Sequence, residues 1–291
     1  MKISFALVGH GDCETLARIV RLLVAQNHTV VIHYDRKSPD DSFIQLTQAF
    51  SANVQVRFAQ RAEVGWGQWG VVQATLNCLD AIQEAGWEPD YVYLMSASDY
   101  PIRSSGQLVD FLTKNRGDEF IESVPSDTVN WVKTGPQRER YEYYWPFNWR
   151  DRPASTEFAF GLQKTLKLKR KFIGGMRPWI GSQWWTLTWP TLQKIRALAK
   201  DPKILKFFKT VLVPDELFLQ TLVPYVAPPE KILNCSLTMS QFSDYGYPVI
   251  YHRDHLEYLL RQPFFMARKL STHGIHPSQH PCTPSLCPRH R

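Results

Sequence analysis

Two adjacent carboxylates, Asp215 and Glu216, open the apolar stretch VPDELFLQTL. Two readings fit them. Acids in a first helical turn complement the helix dipole. A carboxylate half-buried by Leu217, Phe218 and Leu219 holds its proton more tightly and can act as a general base. In FFMARKLS, Arg268 stands beside Lys269 behind an aromatic anchor. Adjacent cations of this kind clamp a diphosphate, or simply end a solvated helix. VIHYDRKS places Asp35, Arg36 and Lys37 just past an apolar run. An acidic side chain there commonly bonds a ribose, although a self-paired charge cluster has the same pattern. YVYLMSASDYPIRS breaks from an apolar run into Asp99, which alone resembles half of a metal site. VGHGDCE offers Gly9 and Gly11 but has Glu14 where a dinucleotide fingerprint needs its third glycine. A tight strand-to-helix turn explains it, and an acid in that turn would repel a pyrophosphate.

These residues need a frame. ISFALVG (3–9), HTVVIHYD (28–35), VQVRFA (54–59), YVYLMS (91–96) and DEFIES (118–123) read as strands. Between them, CETLARIVRLLVAQ repeats its apolar positions at helical spacing after a plausible N-cap, Asp12. WGVVQATLNCLDAIQ (69–83) and SGQLVDFLTK read as two more helices. Alternation of this kind predicts an α/β fold with a mostly parallel sheet and helices on both faces. Residues 124–180 carry dense Arg, Lys and Trp with little periodicity, and read as an irregular insert over the sheet's carboxyl edge. GSQWWTLTW (181–189) returns to strand character, and helices are expected near 190–200 and 215–223. The last stretch, 271–291, is proline-rich and almost free of aliphatic residues, which predicts a disordered tail. Its His273, His276, His280, Cys282, Cys287 and His290 are metal-ligand types, but their spacings match no zinc pattern.

Composition narrows the partners. Hydrophobic content of 44% and charged content of 21% over 291 residues are ordinary for a globular protein. The net charge of +7 suits an anionic partner such as a nucleotide diphosphate or a membrane surface, and no nucleic-acid motif is present. The basic run KTLKLKRK (164–171), with alternating leucines, suits acidic lipid, an anionic acceptor or plain solvent. Ten Trp and twelve Tyr fit either a sugar-binding cleft or an aromatic core. Five cysteines are an odd number, so a disulfide framework is not expected, and Cys13, Cys78 and Cys235 read as buried thiols. No signal peptide and no run of 18 apolar residues is present. A cytoplasmic, reduced compartment follows, with peripheral contact at the inner membrane.

Seven segments in order, VGH, VIHYDRKS, VGWGQWGVVQATLNCL, YLMSASDYPIRS, GSQWWTLT, VPDELFLQTL and FFMARK, resemble the core-2/I-branching β-1,6-N-acetylglucosaminyltransferase family (glycosyltransferase family 14), which also holds the peptide O-xylosyltransferases. The resemblance covers roughly 3–270. Without the animal hallmarks of membrane anchor, stem and many disulfides, the chain resembles a compact bacterial-type member. The resemblance implies a GT-A, Rossmann-like catalytic domain over 1–270, with a nucleotide half at 1–123 and an acceptor half at 124–270. It implies an inverting transfer from a UDP-sugar, UDP-GlcNAc first and UDP-xylose second, to a glycan or lipid-linked glycan, without a metal. Glu216 then maps onto the general base. His10, Asp35, Arg36, Asp99, Arg268 and Lys269 fall at the donor, and Glu122, Arg140, Trp184 and Trp185 at the acceptor. A family Lys before that Arg falls on Gln137, with Arg138 adjacent, and a second diphosphate cation has no counterpart clearer than Arg253. The chain contains no Asp-x-Asp, so the cations Arg268 and Lys269 must stabilise departing UDP, and Asp99 becomes an organiser of the donor pocket. The rival readings are a non-catalytic sugar- or nucleotide-binding module on the same scaffold and, from VGHG, a nicotinamide-dependent enzyme.

Overall fold

In the computed structural model, residues 1–132, 135–243 and 247–271 are described. The first half runs β1 (Ile3–Gly9), α1 (Cys13–Ala25), β2 (Thr29–Tyr34), α2 (Asp40–Ala49), β3 (Val56–Phe58), α3 (Trp69–Glu84), β4 (Tyr91–Ser96), β5 (Tyr100–Pro101), α4 (Ser105–Lys114) and β6 (Glu119–Phe120). There follow β7 (Val124–Pro125), α5 (Glu139–Glu142), α6 (Pro153–Thr165), β8 (Trp179–Ile180), β9 (Thr186–Thr188), α7 (Trp189–Leu198), α8 (Pro202–Phe208), α9 (Phe218–Val226), β10 (Ile232–Leu233), β11 (Thr238–Ser240), α10 (Leu256–Arg261) and β12 (Met266–Arg268).

Seven strands form the main sheet in the order β10-β6-β9-β4-β1-β2-β3. All neighbours are parallel except β9, which runs antiparallel to β4 and to β6. The strands are apolar on both faces because both faces are covered. Ile3, Phe5 and Leu7 of β1, with Tyr91, Tyr93 and Met95 of β4, pack under α1 and α4. Ala6, Val92 and Leu94 face the opposite way, onto α3, α7, α8 and α9. The α/β architecture expected from the alternation is therefore the one observed. Asp12 caps α1 as expected, its Oδ1 accepting from the amides of Glu14 and Thr15. A smaller sheet, β11-β12-β5, brings the end of the described chain back beside β4.

Several segments differ from expectation, among them 124–180, read as irregular, which holds α5 and α6. The 118–123 strand pairs only at Glu119–Phe120. The 181–189 strand shrinks to Thr186–Thr188, because Thr188 Oγ1 accepts from the Thr191 amide and Trp189 already begins α7. The stretch at 215–223 is a 3-10 turn, Pro214–Glu216, followed by α9 from Phe218. Val213 before it is left-handed, with φ 53° and ψ 62°, an uncommon conformation for a β-branched residue. Its amide donates to the Gly67 carbonyl at 3.1 Å. Among the described cysteines, Cys78 is buried while Cys13 and Cys235 are half-buried, and all three are free thiols. The tail's histidines and cysteines lie outside the described residues.

Candidate active site

Parallel strands direct their carboxyl ends to one edge of the sheet, and functional side chains gather there. At the ends of β1 and β2, the Asp35 amide donates to the Gly9 carbonyl, and Asp35 Oδ1 accepts from the amides of Lys37 and Val64 at 3.0 and 3.1 Å. Asp35 is buried, whereas His10 and Arg36 beside it are exposed. The loop is braced by a residue that no motif singles out. Arg61 donates to the carbonyls of Tyr34, Asp35, Arg36 and Ser38 and pairs with Asp40.

Past β4, Asp99 is fully buried. Its carboxylate accepts from the Ser96 amide and hydroxyl at 2.8 and 2.6 Å and from Arg268 Nε at 3.0 Å. Burial pushes the Asp99 carboxyl up; Arg268 and Ser96 pull against that. Both oxygens face donors, so the pocket is built for the ionised form. Asp99 thus bonds a backbone amide and a cation, two of the partners it could take as an organiser. Arg268, expected at the diphosphate, is turned inward instead: its guanidinium lies 3.8 Å over the Trp184 ring and its side chain is 13% exposed. The neighbouring Lys269 is only half-buried and, among the described residues, its ammonium has no ion pair. Burial, then the charge of Arg268, lowers its pKa.

A second cluster forms around the Pro214–Glu216 turn. Glu216 is 28% exposed, and its Oε2 accepts from Trp131 Nε1 at 3.0 Å and from Arg140 Nη2 at 2.8 Å. Its Oε1 has no partner among the described residues. Arg140, expected at the acceptor, is buried and spends one nitrogen on Glu216; its Nη1 is enclosed without a partner among the described residues. Trp131 carries no motif of its own, and only the fold reveals it. Glu122 lies close enough that the charge of Glu216 adds to burial in raising its pKa, while a Ser182 amide opposes the rise. Gly181 permits this approach. A Cβ there would stand 1.7 Å from the Glu122 carbonyl oxygen, and the Gly181 amide donates to the Glu216 carbonyl.

Trp184 and Trp185 are corrected by the structure. Trp185 is 1% exposed inside the core, and Trp184 is covered by Arg268, so neither ring is open to an acceptor. The open aromatics lie elsewhere. Residues 67–70, 145–149 and 211–212, with Lys209, line a cavity of about 250 Å³. Its wall continues through Val213 into the Glu216 turn.

Asp215 faces inward from that turn. Its Oδ1 is enclosed and unpartnered, and burial, then the charge of Glu216, pushes the carboxyl up to about 7. A carboxyl raised by folding contributes stability that is complete below its unfolded pKa and is lost as the pH climbs through the folded value. Asp215→Asn is therefore expected to gain stability relative to the parent between pH 5 and pH 9. Urea unfolding at both pH values checks this; a gap that stays constant refutes the buried-acid assignment.

Among the described residues no group of three or more His, Cys, Asp or Glu stands ready to hold a metal ion, and no helix is long and apolar enough to cross a membrane.

An α/β sheet with carboxylates and cations gathered at its carboxyl edge defines the class: a doubly covered, mostly parallel sheet with a candidate site at that edge. The family model described as Core-2/I-Branching enzyme matches residues 3–260, and the chain belongs to that family. Xylosyltransferase oxt of Drosophila melanogaster is 26% identical over 233 residues, 77% of this chain and 24% of that protein. Human Xylosyltransferase 2 is 25% identical over 254 residues, 84% of this chain and 27% of that protein. The chain spans about a quarter of the length of these relatives. Among solved structures, galactosyltransferase LgtC in complex with donor and acceptor sugar analogs aligns with 92% of this chain and 86% of its own, at a TM-score of 0.43 and 8% identity.

Proposed function

We propose that the chain is an inverting GT-A glycosyltransferase that moves a sugar from a UDP-sugar to a glycan or lipid-linked glycan hydroxyl, without a metal. The observation that carries this reading is Glu216: a partly exposed carboxylate whose Oε2 is fixed by Trp131 and Arg140, while no described residue bonds Oε1, which suits a substrate hydroxyl. In one in-line displacement, Glu216 takes the proton of the acceptor hydroxyl and that oxygen bonds to the anomeric carbon. The bond from carbon to phosphate oxygen breaks, and UDP leaves with the electron pair. The charge that develops on UDP needs a positive neighbour. Lys269 fills that role better than Arg268, which Asp99 and Trp184 already occupy. Asp35 offers its remaining oxygen to the uridine, with His10 and Arg36 at the same edge. Glu122 and the aromatic cavity at 145–149 suit the acceptor. UDP-GlcNAc is the first donor to test and UDP-xylose the second, a choice that the likeness to xylosyltransferases supports. The site of action is the cytoplasm, at the inner face of the membrane.

The test is UDP release across a panel of UDP-sugars with simple glycan acceptors, with and without EDTA. One donor is expected to support release, unchanged by EDTA. Loss of activity restored by Mn²⁺ overturns the metal-free mechanism. Stabilisation by NADH and not by UDP overturns the donor class.

A further inference from the structure

Helix α6 is inside out. One side is anchored: Phe160 stacks on Trp145 with ring centres 4.9 Å apart and meets Tyr143 edge-on at 5.2 Å. Gln163 bonds the Tyr144 backbone at both N and O, and Thr156 is buried. The other side carries Phe158, Leu162 and Leu166 at i, i+4 and i+8, a single stripe along the helix. Leu168 follows in the next turn of chain. These four side chains are 74%, 48%, 56% and 52% exposed. Isolated exposed leucines are unremarkable in a folded protein, but four aligned large apolar groups form a patch. Cations rim it. Lys164, Lys167, Lys169 and Lys171 are all exposed; Lys164 lies over the Phe160 ring at 4.4 Å and Lys169 pairs with Glu142 at 2.7 Å, while Lys167 and Lys171 have no ion pair among the described residues. The acids on this side are Glu157 and Asp151, both exposed, with Glu142 and Glu139 beside Lys169 and Lys164.

An apolar stripe with a lysine margin matches the interface of an anionic bilayer. Rings and leucines enter the boundary between headgroups and acyl chains, and ammonium groups meet lipid phosphates. We infer that α6 and the segment through Lys171 form a docking face for a membrane surface bearing anionic phospholipid. The surface contacts required do not involve Glu216, Asp99 or Lys269, so this docking is independent of the proposed transfer chemistry. It gives the chain a peripheral attachment without a spanning helix. The loop that enters α6, residues 145–149, also lines the aromatic cavity, so a lipid-linked glycan would be presented next to that cavity.

The full chain is sedimented with vesicles of phosphatidylcholine alone and of phosphatidylcholine containing about one part in three phosphatidylglycerol. Binding is expected on the anionic vesicles, weakening at high salt. Phe158→Ser combined with Leu162→Ser and Leu166→Ser is expected to lower binding about a hundredfold or more. Lys167→Gln with Lys171→Gln is expected to lower it about twenty-five-fold, and Lys2→Gln with Lys114→Gln, just before β1 and at the end of α4, hardly at all. All these positions are exposed, so thermal unfolding should match the parent, and UDP release on a soluble acceptor should be unchanged. Absence of binding to the anionic vesicles overturns the inference. So does equal loss from the two lysine pairs, which would mean diffuse charge attraction. A dimer dissolved by the serine substitutions, with no vesicle binding, would assign the face to a second copy of the chain instead.

Discussion

Glu216→Gln is expected to lower sugar transfer by about 10² to 10⁴ while leaving UDP-sugar binding intact. The size follows from the task. A neutral amide cannot accept the acceptor's proton, so the attacking oxygen stays a hydroxyl and loses the help of general-base catalysis. The geometry makes Gln the informative replacement. Its carbonyl oxygen can still accept from Trp131 Nε1 and Arg140 Nη2, which hold Oε2 at 3.0 and 2.8 Å in the parent. Alanine would instead leave the buried Arg140 with no partner, and a stability loss would be mixed with the catalytic one. Transfer is measured as product formed, binding as the UDP-sugar concentration dependence of thermal stabilisation. Transfer at the parental rate in the Gln variant refutes Glu216 as the base. Equal loss of binding and transfer would mark Glu216 as a structural prop of the cleft and not the base.

The parts legible from sequence were those governed by local pattern. Strand β1 and helix α4 fall on the predicted residues because a buried parallel strand is a continuous apolar run, and because Ser104 with Gln107 forms a capping box. Asp99 was legible as a strand-end carboxylate, but its partner was not. Arg268 lies 169 residues away along the chain and arrives through the small sheet β11-β12-β5. The same distance problem hid Trp131, which meets Glu216 across 85 residues. Helix α6 was missed for a different reason. Helical periodicity is normally read as apolar inside and polar outside, and here Phe158, Leu162 and Leu166 point outward while Thr156 and Gln163 serve the inner side. Trp184 and Trp185 misled because abundance of aromatic residues says nothing of which rings remain open. The tight packing of β9 against β4 and β6 encloses Trp185, and an arginine lies over Trp184.

The second large effect is structural and concerns Asp99. Asp99→Asn is expected to destabilise the protein by about 3–5 kcal/mol, a fall in melting temperature of roughly 10 °C for a domain of this size. Asn still accepts from the Ser96 amide, so the loss isolates the charge: Arg268 is left mostly buried over Trp184 with no counter-ion, and a guanidinium cannot shed its proton in this pH range. Arg268→Met removes the other partner and leaves Asp99 enclosed, but a carboxyl has an exit, because burial already pushes it toward the protonated form. The two variants should therefore differ in their response to pH. In Arg268→Met the folded pKa of Asp99 lies above its unfolded value, so stability is greatest at low pH and drains away as the pH rises through the folded pKa. Its deficit against the parent should be smaller at about pH 5 than at about pH 8, whereas the Asp99→Asn deficit should narrow over the same interval, because burial raises the parent's own Asp99 and Asn does not titrate. Urea unfolding of the three proteins at both pH values decides the matter. Parallel pH responses in the two variants, or an Asp99→Asn loss below about 1 kcal/mol, would mean that the pair is not the buried ion pair described here. If the asymmetry appears, Asp99 and Arg268 are fixed parts of the pocket wall, and the cation left to meet a departing diphosphate is Lys269.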